Sequence, residues 1–207
     1  MFNTFKKCKV HKNNCYIGIS LTLSFLLVGC SIGIDMSKFE SPDYEVKSSF
    51  EKIEIREYSH MIIAEVTVEG DRRQSVSDGF RLLADYIFGN NIGNEKIAMT
   101  APVKQQQSFE NNWQISFVMP SAYSMSNLPK PQNNSVKIKK VPARKCVAIQ
   151  FSGGRNDKNL DKNLKKLMDY IKKHEVQVVG TPVYAFYNPP WTPPFMRRNE
   201  IIFEVNQ

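Results

Sequence analysis

Histidine and cysteine are scarce in this chain. Its 207 residues include three His and four Cys, and they are scattered: His11, His60 and His174; Cys8, Cys15, Cys30 and Cys146. No paired metal-ligand spacing, Ser-His-Asp set or Cys-His set is marked by their order in the chain, so nothing points to a nucleophilic or metal-dependent enzyme. There is one long apolar run, residues 16–28, and it is shorter than the roughly 20 residues a spanning helix needs. No helix-turn-helix signal and no cluster of basic and aromatic residues is present, which argues against nucleic acid as a partner. The formal charge of +8 does not restore that reading, because Lys6, Lys7, Lys9 and Lys12 supply half of it.

Those four lysines and the apolar run have the layout of a secretory leader. The run ends in Leu27-Val28-Gly29-Cys30-Ser31, and small residues before a cysteine resemble the bacterial lipobox. Residues 1–29 are therefore expected to be a lipoprotein signal peptide, with Cys30 the lipidated residue and 30–42 a tether. Residues 43–207 then form a single domain, large enough for a core of its own. Cleavage would remove Cys8 and Cys15, and acylation would occupy Cys30, so no internal disulfide is expected. Cys146, beside Val147, Ala148 and Ile149, reads as an inert, buried strand residue. The expected location is a bacterial cell envelope, anchored by lipid. Ser31 is not the Asp that signals inner-membrane retention, so the periplasmic face of the outer membrane is expected in a two-membrane cell.

Within the domain the sequence repeats a pattern of strand, strand, helix, strand, strand at a spacing of about 84 residues. Val76, Phe80, Leu83 and Ile87 recur at steps of four, three and four, as do Leu160, Leu164, Leu167 and Ile171. Such steps gather apolar side chains on one face of a helix. The first helix is predicted over residues 72–88, ended by Gly89-Asn90-Asn91. Strands are predicted over 44–58, 61–68, 97–105 and 113–119 in the first repeat (43–119). Residues 120–135 read as a linker. The second repeat (135–207) has strands at 136–141 and 145–151, and two more around Gly180-Thr181-Pro182-Val183 and Ile201, Phe203 and Val205. The implied class is α+β: eight antiparallel strands, strongly curved or closed as a distorted barrel, with two helices outside. A ferredoxin-like pair of separate sheets is the alternative.

Two segments are specific: Lys96-Ile97-Ala98-Met99-Thr100-Ala101-Pro102-Val103, and Tyr187-Asn188-Pro189-Pro190-Trp191-Thr192-Pro193-Pro194-Phe195-Met196-Arg197-Arg198-Asn199-Glu200-Ile201. Together, in this order and over about residues 43–206, they resemble the SOUL haem-binding protein family. The resemblance implies a distorted eight-stranded antiparallel barrel with two helices, related to the effector-binding domains of gyrase-inhibitor-like proteins. It also implies non-covalent binding of haem, another tetrapyrrole or a related apolar carboxylate in a groove beside the first helix. Carried onto this chain, that groove involves Phe80, Leu83, Ala84 and Ile87, with Met99, Trp191 and Phe195 as walls. Arg197 is the candidate partner for a ligand carboxylate.

Several residues depart from the animal members of that family. Asp85 stands where a lysine can follow the helix position of Ala84, and an anion there would repel a propionate. Glu54-Ile55-Arg56-Glu57-Tyr58 has Glu57 where some members carry the histidine proposed as axial ligand. No axial ligand is identified: His60 falls at a turn, and His174 at a helix end suits the helix dipole. The absence of Cys-x-x-Cys-His excludes covalent c-type haem. Arg198 and Glu200 share one face of a strand and are expected to form an ion pair that pins it. Two other readings stand beside the lipid-anchored binding protein, taken as a monomer: an envelope structural or interaction protein without ligand, and a small-molecule hydrolase using Glu57 or Glu65 as general base.

Overall fold

The computed structural model describes residues 39–109 and 111–206. The expected signal peptide, the expected lipidation of Cys30 and the expected tether up to residue 38 lie outside the described residues. Nine strands and two helices follow in chain order: β1 (Tyr44–Phe50), β2 (Ile53–Tyr58), β3 (Met61–Glu69), α1 (Arg72–Ile87), β4 (Val103–Phe109), β5 (Asn112–Val118), β6 (Lys137–Val141), β7 (Arg144–Phe151), α2 (Asp157–Lys173), β8 (Val178–Phe186) and β9 (Asn199–Val205). The strand count is nine rather than the expected eight, because residues 44–58 form a hairpin and not one strand. Its turn places Glu51 at φ 51°, a conformation that costs a residue with a Cβ.

All nine strands join one antiparallel sheet in the order β1-β2-β7-β9-β8-β4-β5-β3-β6. It is a curled half-barrel with β1 and β6 at its ends, and the two-sheet alternative is set aside. Exchanging β2 with β6, β3 with β7, β4 with β8 and β5 with β9 leaves the order of those eight unchanged. This is a symmetry of connection order, not a superposition of the halves.

Strand alternation sorts the side chains onto two faces. On the helix side, α1 packs on β3 and β5 through Leu83, Tyr86 and Ile87 against Ala64, Val66, Ile115 and Phe117. Gly79 permits that approach, since a Cβ there would lie 2.9 Å from Ile115. α2 covers β7 and β9 through Leu160, Leu167 and Ile171 against Val147, Ile149, Ile201 and Phe203. Each such Leu or Ile contributes about 1.5–3 kcal/mol by leaving water. Both helices are capped at their starts: the Asp71 side chain accepts from Arg73 N and Gln74 N, and that of Asn156 from Asn159 N. The other, concave face carries Tyr58, Ile63, Val118, Cys146, Ala148, Ala185 and Ile202, together with most of the sheet's buried charge.

Candidate functional site

The helix stripe read from the sequence faces the core. Leu83 and Ile87 are fully buried and Ala84 nearly so, whereas Phe80 is 40 % exposed and meets Phe117 edge-on, ring centroids 5.4 Å apart. Met99 is half-buried against the α1 core. One helical turn beyond Ala84 stands Phe88, 64 % exposed at the helix C-cap. Phe80 and Phe88, two turns apart on α1, are exposed on either side of the small, buried Ala84, and Ile92, also exposed, follows in the turn after the helix. Phe88 escaped the sequence reading because its spacing from Ile87 takes it off the buried stripe, although its step from Ala84 was available. Asp85 accepts a hydrogen bond from the Asn90 side chain, and Arg81 pairs with Asp78.

The proline-rich loop belongs elsewhere. Gly153 N donates to Pro194 O (2.8 Å), the Asn199 side chain donates to Gly153 O, and Arg155 donates to Asn188 O. These bonds fasten the loop to the turn that precedes α2. Trp191 (71 % exposed) and Phe195 (78 %) project from it, with Pro194–Met196 in a single 3-10 turn. The guanidinium of Arg197 is taken up by the loop itself, with Nε donating to Thr192 O (2.7 Å) and Nη2 to Pro190 O (2.6 Å). Of the residues singled out from the sequence, Phe80, Leu83, Ala84, Ile87 and Met99 are thereby grouped with α1, and Trp191, Phe195 and Arg197 with the turn before α2.

The strongest electrostatics lie on the concave face. Glu200 is fully buried and receives both Nη atoms of Arg56 (2.8 and 3.0 Å), the Nε and Nη2 of Arg198 (3.0 and 2.8 Å) and the hydroxyl of Tyr187 (2.8 Å). Arg56 also donates to Glu54 (2.7 Å) and Tyr58 (2.9 Å). It lies 4.4 Å from the centroid of the Tyr44 ring. Burial pushes the Glu200 carboxyl up, but the hydrogen bonds and charges of Arg56 and Arg198 outweigh it and hold the group below the ordinary range. The pairing of Arg198 with Glu200 follows the expected shared strand face. Arg56, 144 positions away in the chain, carried no sequence signal.

Neither carboxylate considered as a general base is free. Glu57 is exposed and pairs with Lys47 at 3.0 Å. Glu65 accepts from Lys139 and from the Gln114 amide. The two remaining histidines also have plain settings: His60 is exposed between β2 and β3, and His174 lies tilted against the Tyr170 ring, centroids 4.3 Å apart.

Comparison with protein families matches residues 39–204 to the model described as SOUL heme-binding protein, nearly all of the described chain. The chain belongs to the SOUL heme-binding protein family. No curated protein matches it. Among solved structures, the EcmrR C-terminal domain is similar at a TM-score of 0.58 and 14 % identity, covering 79 % of this chain and 98 % of that one. A structure described as a hydrolase from Listeria innocua is similar at a TM-score of 0.54 and 10 % identity, covering 77 % and 94 %. At these identities the likeness is one of fold alone. The SOUL motif around Met99-Thr100-Ala101-Pro102-Val103 leads into β4: Thr100 Oγ1 donates to Val118 O (2.6 Å), and the Ala101–Pro102 peptide is cis.

Proposed function

We propose that this SOUL protein is a lipid-anchored envelope protein that holds haem or a related tetrapyrrole against the solvent side of α1. The observation that carries the reading is the exposure of Phe80 and Phe88 along a line that passes the small, buried Ala84, with Ile92 exposed in the next turn, on a helix that otherwise sends its apolar residues inward. A flat macrocycle laid on that line would bury exposed aromatic surface, and large exposed apolar patches mark such contacts. The fit is to the ring and not to the iron: none of these four side chains is a ligand, so the ring is held by stacking. Arg81, three residues before Ala84, is the nearest cation in sequence on this helix and the partner we assign to a propionate, in exchange for Asp78. Bound haem would supply an iron open to an added ligand. Leu83 and Ile87 act from beneath by fixing the helix, and Met99 supports the same core.

Haemin titration of the described domain, residues 39–206, tests this. A Soret change saturating at one equivalent is expected, weakened at least tenfold by Phe88→Asp, a change at a largely exposed position. Uptake that never saturates and ignores that substitution would sink the reading. The anchor has its own assay in the full chain: Cys30→Ser should abolish labelling by a fatty acid, and unaltered labelling would end the lipoprotein proposal.

A further inference from the structure

Away from α1, the concave face of the sheet holds a cation with almost nothing to pair with. Lys104, on β4, is 8 % exposed, and the only hydrogen-bond partner of its ammonium among the described residues is the thioether sulfur of Met61, at 3.5 Å. A thioether is a weak acceptor, so the ammonium keeps unused donors in a buried place. The Lys104 side chain lines a cleft of about 270 Å³ and a narrower extension of it, between Met61, Arg144 and Val183. Arg144 lines both as well. Its Nη1 donates to Glu204 at 2.8 Å, but its Nε is buried without a partner. Two cationic donors short of acceptors therefore border one space.

Glu204 offsets the charge of Arg144, but no carboxylate is left for Lys104. Glu65 is held by Lys139, Glu204 by Arg144 and Glu200 by its own two arginines, while Lys140 adds a further positive charge at the rim. Buried charge without a counter-charge is costly, and a bound anion is the remedy this geometry leaves open. The rest of the wall is mixed: Ile63, Val141, Pro142 and Val183 give it an apolar side, with Ile202 in the extension, and Gln105, Gln106, Gln114 and Ser116 a neutral polar one. Its volume equals that of about nine waters in the liquid, too little for a porphyrin.

We infer that this cleft is a binding site for a small organic carboxylate, its carboxylate seated between Lys104 and Arg144 and its body against Ile63, Val141 and Val183. The site is separate from the surface of α1 and does not depend on tetrapyrrole binding.

Calorimetric titration of the full chain in dodecylmaltoside with sodium benzoate is the test, with benzamide and inorganic phosphate as parallel probes. Benzoate is expected to saturate at one equivalent, with benzamide at least tenfold weaker for want of charge. Lys104→Met should weaken benzoate at least tenfold, and Arg144→Gln severalfold. Val183→Phe, which narrows the cleft at its extension and leaves its charges alone, should weaken binding at least tenfold, so the inference stands or falls even if the lysine variant does not fold. Equal affinity for benzamide, wild-type affinity in Lys104→Met, or phosphate binding tighter than benzoate would each overturn it.

Discussion

The two ends of the curled sheet treat buried charge in opposite ways. Toward β1, the concave face closes on itself: Glu200 of β9 is satisfied by Arg56 of β2, by Arg198 and by Tyr187, and of these Glu200, Arg56 and Tyr187 are buried while Arg198 is partly exposed at the edge. Toward β6, the strand related to β2 by connection order offers Lys139, half exposed, to Glu65 on β3. Between that pair and the closed group, Lys104 stands unpaired over a cleft. A bidentate arginine fills space and satisfies both oxygens of its partner. A lysine reaching in from the rim leaves room. The closed end is a structural clamp that ties the first hairpin to the last strand. The open end has the unsatisfied donors and the space that a ligand needs.

The widest separation between the two ends should appear on removing one charge from the clamp. Glu200→Gln strands Arg56 and Arg198 in a buried setting, and breaking a buried pair in this way costs about 3–5 kcal/mol. Urea denaturation should show that loss as a lowered midpoint at unchanged slope. A loss under about 1 kcal/mol would mean that the clamp is better solvated than its geometry states.

Lys104→Met comes next, with the opposite sign. Burial pushes the Lys104 amine down to about 8, and the nearby Arg144 charge adds to the effect, while Cys146 and Glu200 act against it. Unfolded, the amine keeps its proton to about pH 10.4. Between those values the unfolded chain binds more protons than the folded one, so the native protein gains stability as pH rises. The variant has no such term. It should therefore be more stable than the native chain near pH 7, by about 2–3 kcal/mol, and that advantage should fade toward pH 10. Burial raises Tyr58 and Tyr187, but those groups are present in both chains and drop out of the difference. Paired denaturation curves at pH 7.5 and 9.5, in buffers free of carboxylates, check it. An advantage that does not change with pH would show that Lys104 is not desolvated.

These contrasts differ in how far they could be read from the chain. The first helix was legible to within a residue, 72–88 against Arg72–Ile87, because its apolar period and the Gly89 stop are local signals. The pairing of Arg198 with Glu200 was legible too, since strand alternation alone puts them on one face. The β1–β2 hairpin was not: Phe50-Glu51-Lys52-Ile53 has no Gly, Asn or Pro to mark a turn, and β1 is exposed along nearly all its length, without alternation. β4 begins at Val103 and not near residue 97, since Pro102 has no N–H to give a ladder. At the candidate surface the same stripe was asked both to build the core and to bind a ligand. Leu83, Ala84 and Ile87 serve the core, and Phe80 and Phe88 leave apolar surface open on that helix. Lys104 is a lysine in a run of Val103, Lys104 and Gln105, which reads as an exposed strand face. Only the curl of the sheet buries that face, and curl depends on contacts far apart in sequence.

The smallest expected effect closes the comparison between the ends. Glu65→Gln removes the charge opposite Lys139 while preserving the size of the side chain. The lysine is half exposed, so water takes over its solvation, and the substituted amide retains a hydrogen-bonding group beside Gln114. Pairs of this kind contribute about 0–1 kcal/mol, and raised salt should shrink the difference further. Denaturation at low and high salt reads both quantities. A loss from Glu65→Gln as large as that from Glu200→Gln, and insensitive to salt, would make the two ends energetically alike. The distinction between clamp and open cleft would then fail at the carboxylate that was supposed to be the replaceable one.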